Sequence, residues 1–352
     1  MAPKKRSSNF ELLRIISILL ILLGHIAFHT DEANLSLFNA HLLKSFMSVG
    51  NIAVSCFILI SGYFGVTLKW EQFLRLIIMT TLYSVLLFFV YHGFSSINVV
   101  EFARSVFVVP LYHNWFMSCY LILMLLSPFI NQYCDICDKK TFTKLIITLF
   151  IAFCVIPTIF NSSYYTILTM GGKCLTYFIF IYLTGRYIRL HHDVIFNRKR
   201  LIGVYLITTL TGIFLNYTVS AIFNKTMSPM FFSDCSVFTY IAAISIFYLF
   251  KSFTFQSKAI NFLSSSVLAV FLLDELRYLV DDWLVHLPEY ANSYLFVVNW
   301  LWLAVCMFII CTAIDKLRIL LFSKIETCII QFIIKTCRSV GAQVNNMVRR
   351  YY

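Results

Sequence analysis

Residues 9–30 read NFELLRIISILLILLGHIAFHT. From Leu12 to Thr30 the run is apolar at nearly every position, and a helix needs about 20 such residues to cross a bilayer. Two ionisable side chains, Arg14 and His25, sit inside it, and Glu11 and His29 extend the pattern on either side. Working outward, the whole chain has this character. Of its 352 residues 60% are hydrophobic and 12% charged, with 36 Phe, 20 Tyr and 5 Trp. A soluble domain carries about 25% charge, and no soluble core of this size buries so much apolar surface. An ordinary globular enzyme is excluded. The long continuous apolar runs, with no alternation over ten residues, exclude a porin-like barrel.

Ten stretches qualify as crossings, near residues 12–30, 46–66, 74–92, 114–132, 144–160, 171–190, 201–219, 233–250, 262–280 and 294–312. The fifth and sixth flank a short polar turn, NSSYYT, at 161–166. The N-terminal MAPKKRSS precedes an apolar run with no cleavage-like small residues after it, which reads as an uncleaved first helix. With that terminus in the cytoplasm, 23 of the 28 Lys and Arg fall on the inner side, and only Lys44, Arg104, Lys173, Lys225 and Arg277 fall outside. This positive-inside asymmetry predicts an N-in, C-in, all-α integral membrane protein of ten transmembrane helices. It also accounts for the net charge of +12 without a basic domain, so no nucleic-acid partner is expected. Residues 1–314 form the membrane domain. Residues 315–352 form a cytoplasmic basic tail, and its Ile319–Arg338 segment mixes apolar and charged residues as an amphipathic surface helix does. The 11 cysteines are odd in number and scattered; Cys134 and Cys137 have CxxC spacing but no second pair, so no metal site is expected.

Polar groups inside apolar helices need a reason. Arg14 and His25 are eleven residues apart, about 16.5 Å and three turns along one helix face. Such groups face the protein interior or a wet cavity. A neutral His25 can take a proton near neutral pH and so activate a hydroxyl; it can equally bond a neighbouring helix or serve ion translocation. Arg14 can bind anionic oxygens or extend to the inner interface. In the second helix, VSCFILISGYFGV at 54–66, Ser61 and Gly62 permit close packing or a break, and Tyr63 offers a hydroxyl. Lys69 and Arg75 in the following TLKWEQFLRL can receive phosphates or simply set topology. The fourth helix opens with His113, Trp115 and Tyr120, residues of an interfacial anchor, and Pro128 is placed to kink or end it. In the ninth, DELRYLVDD at 274–282, Asp274 and Glu275 either line an outward-facing acceptor cavity or, for Asp274, pair with Arg277.

The stretches FELLRIISILLILLGH, VSCFILISGYF and WFMSCYLILMLLSPFI, in this order and spacing, together with the helix count, resemble the membrane acyltransferase 3 family of bacterial integral-membrane O-acyltransferases. The short members with an SGYF segment, which look like polysaccharide O-acetyltransferases, are nearest in character. The resemblance covers most of the chain in architecture, with its specific motifs in the first 130 residues. It implies acyl-CoA, commonly acetyl-CoA, as donor from the cytoplasmic side, and a saccharide or lipid-linked glycan hydroxyl as acceptor across the membrane. Carried onto this sequence, it makes His25 the base or proton carrier, Arg14 an organiser of the donor or catalytic region, and Arg75 a contact for CoA phosphates, beside Lys69 and Tyr63. His29, His113, Trp115, Asp274 and Glu275 would stand on the acceptor side. The chain departs from the family in two places. Many members have two arginines four apart where this chain has Glu71 and Met79 around Arg75, and some have a late His where it reads FLLDEL at 271–276.

The implied chemistry is thioester-to-oxygen transfer, direct or through an acyl-His25 intermediate. Membrane lipid and polysaccharide-assembly proteins would be partners, a bacterial cytoplasmic membrane the location, and succinyl an alternative acyl group. A secondary transporter, which would show inverted repeats, and a non-catalytic component of polysaccharide assembly or export are the alternatives of other classes.

Overall fold

The structure, a computed structural model, describes residues 6–31, 34–93, 97–111, 114–160, 169–223, 231 and 233–351, with side chains through 339. The expected turn at 161–166 and His113 lie outside the described residues. Every regular element described is helical. In chain order these are α1 (Ser8–His29), α2 (Leu37–Phe64), α3 (Trp70–His92), the short α4 (Val99–Val106), α5 (Trp115–Ile136) and α6 (Lys139–Ile159). They continue with α7 (Leu175–His191), α8 (Arg198–Phe223), α9 (Val237–Lys251), α10 (Lys258–Leu272), α11 (Asp274–Val285) and α12 (Leu295–Tyr351).

Short polar side chains start many of these helices by accepting from the first free backbone N–H groups. Ser36 accepts from Asn39 at α2, Asn114 from Met117 at α5, Asp138 from Lys140 and Thr141 at α6, and Ser236 from Thr239 at α9. Pro128 does not end α5, which runs eight residues further to Ile136.

All ten expected stretches fall on helices, but they are not equal as crossings. Among the described residues seven helices are long and apolar enough to span a bilayer, and the pair α10 and α11, bent by 77°, makes an eighth if counted as one. The other two expected crossings, α7 and α9, have 17 and 15 residues, about 25 and 22 Å of helix against a hydrocarbon core of roughly 30 Å. The C-terminal part also differs from the expectation. No break separates a last crossing from an amphipathic tail, because one helix runs from Leu295 to Tyr351, and no Gly or Pro occurs in it before Gly341. Asp315, Arg318 and Glu326 on this helix are buried.

The helices run up and down. Ser8 of α1 bonds Ser257 and Asn261 at the start of α10, and Asn9 bonds the Phe250 carbonyl at the end of α9. At the other end Asn39 bonds the Ala291 and Ser293 carbonyls, and Trp300 bonds that of Leu23. The first of these ends carries most of the basic residues and is called the basic end below. Packing between helices that are themselves surrounded by lipid relies on close van der Waals fit. The tightest crossing joins α2 to α7. A Cβ on Gly62 would overlap the Tyr182 carbonyl oxygen, and one on Gly185 would lie 2.5 Å from the Leu59 oxygen. The SGYF segment is therefore a backbone-to-backbone contact, and α2 continues through it to Phe64.

Candidate active site

Two features bring the site together. α1 carries His25 one turn from its end, and the sharp bend after Leu272 turns α11 so that Asp274, Glu275 and Arg277 face it. His25 Nδ1 lies 2.7 Å from Asp274 Oδ2. The same oxygen accepts from Arg277 Nη1 at 2.6 Å, and Arg277 Nη2 donates to the Tyr278 hydroxyl at 3.1 Å. The Asp274 and Arg277 side chains are both over 90% buried, whereas the His25 side chain is 43% exposed. The ion pair is thus the fixed part and the imidazole the reachable part. A carboxylate held on Nδ1 places the proton there and leaves Nε2 as the free base. This is the arrangement of a base with an orienting partner.

Two cavities meet at this pair. The larger, 460 Å³, runs along α3 from Thr80 through Ser84 to Tyr91, with Arg104 of α4 and Trp115 of α5 opposite. The smaller, 340 Å³, lies between α1 and α2 and reaches Lys173 and Asp234. His25, Trp115, Phe271, Asp274 and Glu275 line both. Both volumes are in the range of small-molecule sites.

The other expected site residues divide by position. Trp115, Asp274 and Glu275 gather around His25, and the Tyr91 hydroxyl donates to the Glu275 carbonyl. His29 borders the smaller cavity, 5.9 Å from the Tyr278 ring. Arg14 is elsewhere: it pairs with Glu11 at 2.7 Å near the basic end, about 16.5 Å of helix from His25. Tyr63, also near that end, donates to Asp193 Oδ1 at 2.9 Å and accepts from Arg189 at 3.1 Å. Arg75 reaches Glu326 at 3.5 Å and Thr327 at 3.5 Å. Lys69 lines a 610 Å³ groove between the start of α3 and α12, facing Arg338. Among the described residues, no group of three or more His, Cys, Asp or Glu is placed to hold a metal ion.

Among the cavity residues not singled out as site residues from sequence are Tyr91, Arg104, Lys173 and Asp234. Each stands at a helix end or in a loop, so no helical periodicity marks it, and only folding brings it within reach of His25. The weak signal was charge, since Arg104 and Lys173 are two of the five basic residues on the acid-rich side.

Searches of curated proteins and of solved structures gave no match. A family profile described as an acyltransferase domain, that of the acyltransferase 3 family, matches residues 7–316, through the first crossing, both cavities and the start of the long C-terminal helix. The chain is a multi-pass membrane acyltransferase and belongs to this family.

Proposed function

We propose that the protein transfers an acyl group, most simply acetyl, from acyl-CoA at its basic, cytoplasmic end to a hydroxyl of a saccharide or lipid-linked glycan on the far side of a bacterial cytoplasmic membrane. The observation that carries this reading is the His25–Asp274 contact of 2.7 Å, open to two cavities that each have room for a reactant. His25 takes the acceptor hydroxyl proton, the oxygen attacks the thioester carbonyl, and the tetrahedral intermediate collapses with the CoA thiolate as leaving group. The imidazolium then returns its proton to the thiolate. Asp274 holds the ring and balances its positive charge, while Arg277 keeps that carboxylate fixed.

Acyl-CoA carries several negative charges, and the basic end fits it in sign. Lys69 and Arg338 border the groove there, with Arg14 and Arg75 partly exposed nearby. Arg14 and Arg75 each already hold a glutamate, so contact with phosphate would exchange one anion for another. This supports attraction to that end without fixing a pose. N-in, C-in orientation follows from the charge asymmetry.

The test uses full-length protein in nanodiscs and acetyl-CoA labelled in the acetyl group, with a glycan extract of the cell envelope. Wild-type protein should bind acetyl-CoA saturably and move label to glycan, and His25→Ala should lose transfer while remaining folded. Transfer by His25→Ala at the wild-type rate, or no binding at millimolar acetyl-CoA by folded wild type, would overturn the reading.

A further inference from the structure

The two cavities meeting at His25 are chemically different. The larger carries Tyr91, His92, Glu101 and Arg104 at the end opposite the basic one and runs past Ser84 to Thr80 on α3, toward the basic end. Thr80 is ten residues from the start of α3, about 15 Å along it. On its side toward the basic end the smaller cavity is lined by Leu20, Ile21 and Val54 with Asn51 of α2, and Lys173, Asp234 and His29 stand at the opposite end of the bundle.

We infer that the smaller cavity is the acceptor subsite, that Asp234 and Lys173 are its specificity-determining contacts, and that its ligand is an uncharged polyhydroxyl ring. The larger cavity then receives the acyl arm of the donor. This rests on the acyltransfer reading and adds to it which cavity takes which reactant.

Three observations support the assignment. First, charge: Lys173 and Arg277 face Asp234, Asp274 and Glu275, so the cavity has no net attraction for a polyanion, while its carboxylates can accept from hydroxyls and its ammonium can donate. Trp115, with Lys173 Nζ 6.0 Å from its ring centre, adds an aromatic face. Second, preorganisation: Asp234 is buried and its carbonyl accepts from the Tyr177 hydroxyl at 2.6 Å. Gly172, with φ +96°, packs so closely that a Cβ there would lie 2.7 Å from Asp234 Cβ. The loop can approach this way because glycine adopts a backbone other residues avoid. A contact group fixed before binding loses less entropy on binding. Third, Gly24, one residue before His25, borders this cavity, and a Cβ there meets nothing within 4 Å. The space beside the base is open.

Gly24→Leu puts a side chain into that space, its Cβ meeting nothing within 4 Å, Asp234→Asn removes the charge, and Ser84→Leu narrows the larger cavity. All are made in full-length protein in nanodiscs and checked for a monodisperse, folded state. Binding of labelled acetyl-CoA gives Kd, and label transfer at rising concentrations of envelope glycan extract gives KM for the acceptor. Gly24→Leu and Asp234→Asn should each raise the glycan KM at least about tenfold, ~1.4 kcal/mol, with the Kd of acetyl-CoA within about twofold. Ser84→Leu should do the reverse. A wild-type glycan KM in both first variants, or a loss of acetyl-CoA affinity as large as the loss for glycan, would overturn the assignment and leave acyltransfer standing. Wild-type protein that moves no label overturns acyltransfer itself, and the assignment with it.

Discussion

Asp274→Asn is the perturbation that separates a catalytic pair from a structural one. The carboxylate has two partners on one oxygen, His25 Nδ1 at 2.7 Å and Arg277 Nη1 at 2.6 Å. An asparagine of the same shape keeps the packing but no longer balances an imidazolium, and it favours the wrong ring tautomer when its amide faces Nδ1. General-base catalysis contributes about 10²–10⁴ in rate, so the transfer rate should fall by about that factor. The substitution also strands Arg277, whose side chain is 8% exposed. Breaking a buried pair by removing one member costs about 3–5 kcal/mol, so a lower melting temperature is expected and a rate loss alone would be ambiguous. The double variant Asp274→Asn/Arg277→Gln removes the stranded charge. It should recover most of the stability and none of the rate. The assay is single-turnover transfer of labelled acetyl in nanodiscs, beside thermal melting of the same samples. A folded Asp274→Asn protein within about threefold of the wild-type rate would refute the orienting role. Full recovery of rate in the double variant would show that the loss came from misfolding around Arg277.

Gly62→Ala should destabilise the protein by about 1–3 kcal/mol, because the new methyl meets the Tyr182 carbonyl, which is backbone and cannot swing away; a melting temperature equal to that of wild type would refute the close crossing. Burial pushes the Asp193 carboxyl up, but hydrogen bonds from Lys251 and Tyr63 and the charges of Lys251 and Arg189 outweigh it, holding the group below its usual value. A depressed folded value gives stability that is present above the unfolded value of about 3.9 and lost as pH falls through the folded one. Melting temperature followed from pH 6 to 3 should therefore fall less steeply below pH 4 in Asp193→Asn than in wild type, and parallel curves would count against this account.

The sequence made the membrane class, the helix positions and the central histidine readable because each is local. An apolar run and a charge inside it are visible within 20 residues, and Asp274 stood out as an acid in an apolar helix. What joined them was not local. His25 and Asp274 are 249 residues apart, and their contact depends on a 77° bend after Leu272 that no Gly or Pro announces. Lining a cavity and pairing with Arg277 were not alternatives for Asp274, since it does both. Arg14 shares a helix face with His25, as the eleven-residue spacing requires. It is nevertheless engaged by Glu11 at the other end, so a shared face did not mean a shared site. The long α12 was hidden because Lys324, Glu326 and Lys335 look like a surface pattern until Arg318 is seen to gather Asp315 and Glu326 inside the bundle.

Buried ionic groups alone do not locate the chemistry, because this bundle has several. Arg318 is held by Asp315, Glu326 and the Tyr83 hydroxyl, all buried, and none of the four lines a described cavity. Such a group is closed: its donors already have acceptors, and a reactant would have to break it. It fastens α12 to α3. Asp193, with Lys251, Arg189 and Tyr63, ties the basic ends of α2, α7 and α9 at the surface, and none of these four lines a described cavity either. The group around Asp274 differs in one respect. Its ion pair is as buried as that of Arg318, but its third member, His25, is 43% exposed and stands where two cavities join. A charged pair in apolar surroundings is costly to keep, and where it only fastens helices nothing is gained by leaving one member open. The open imidazole on a closed pair is what sets this group apart and supports placing the proposed transfer there.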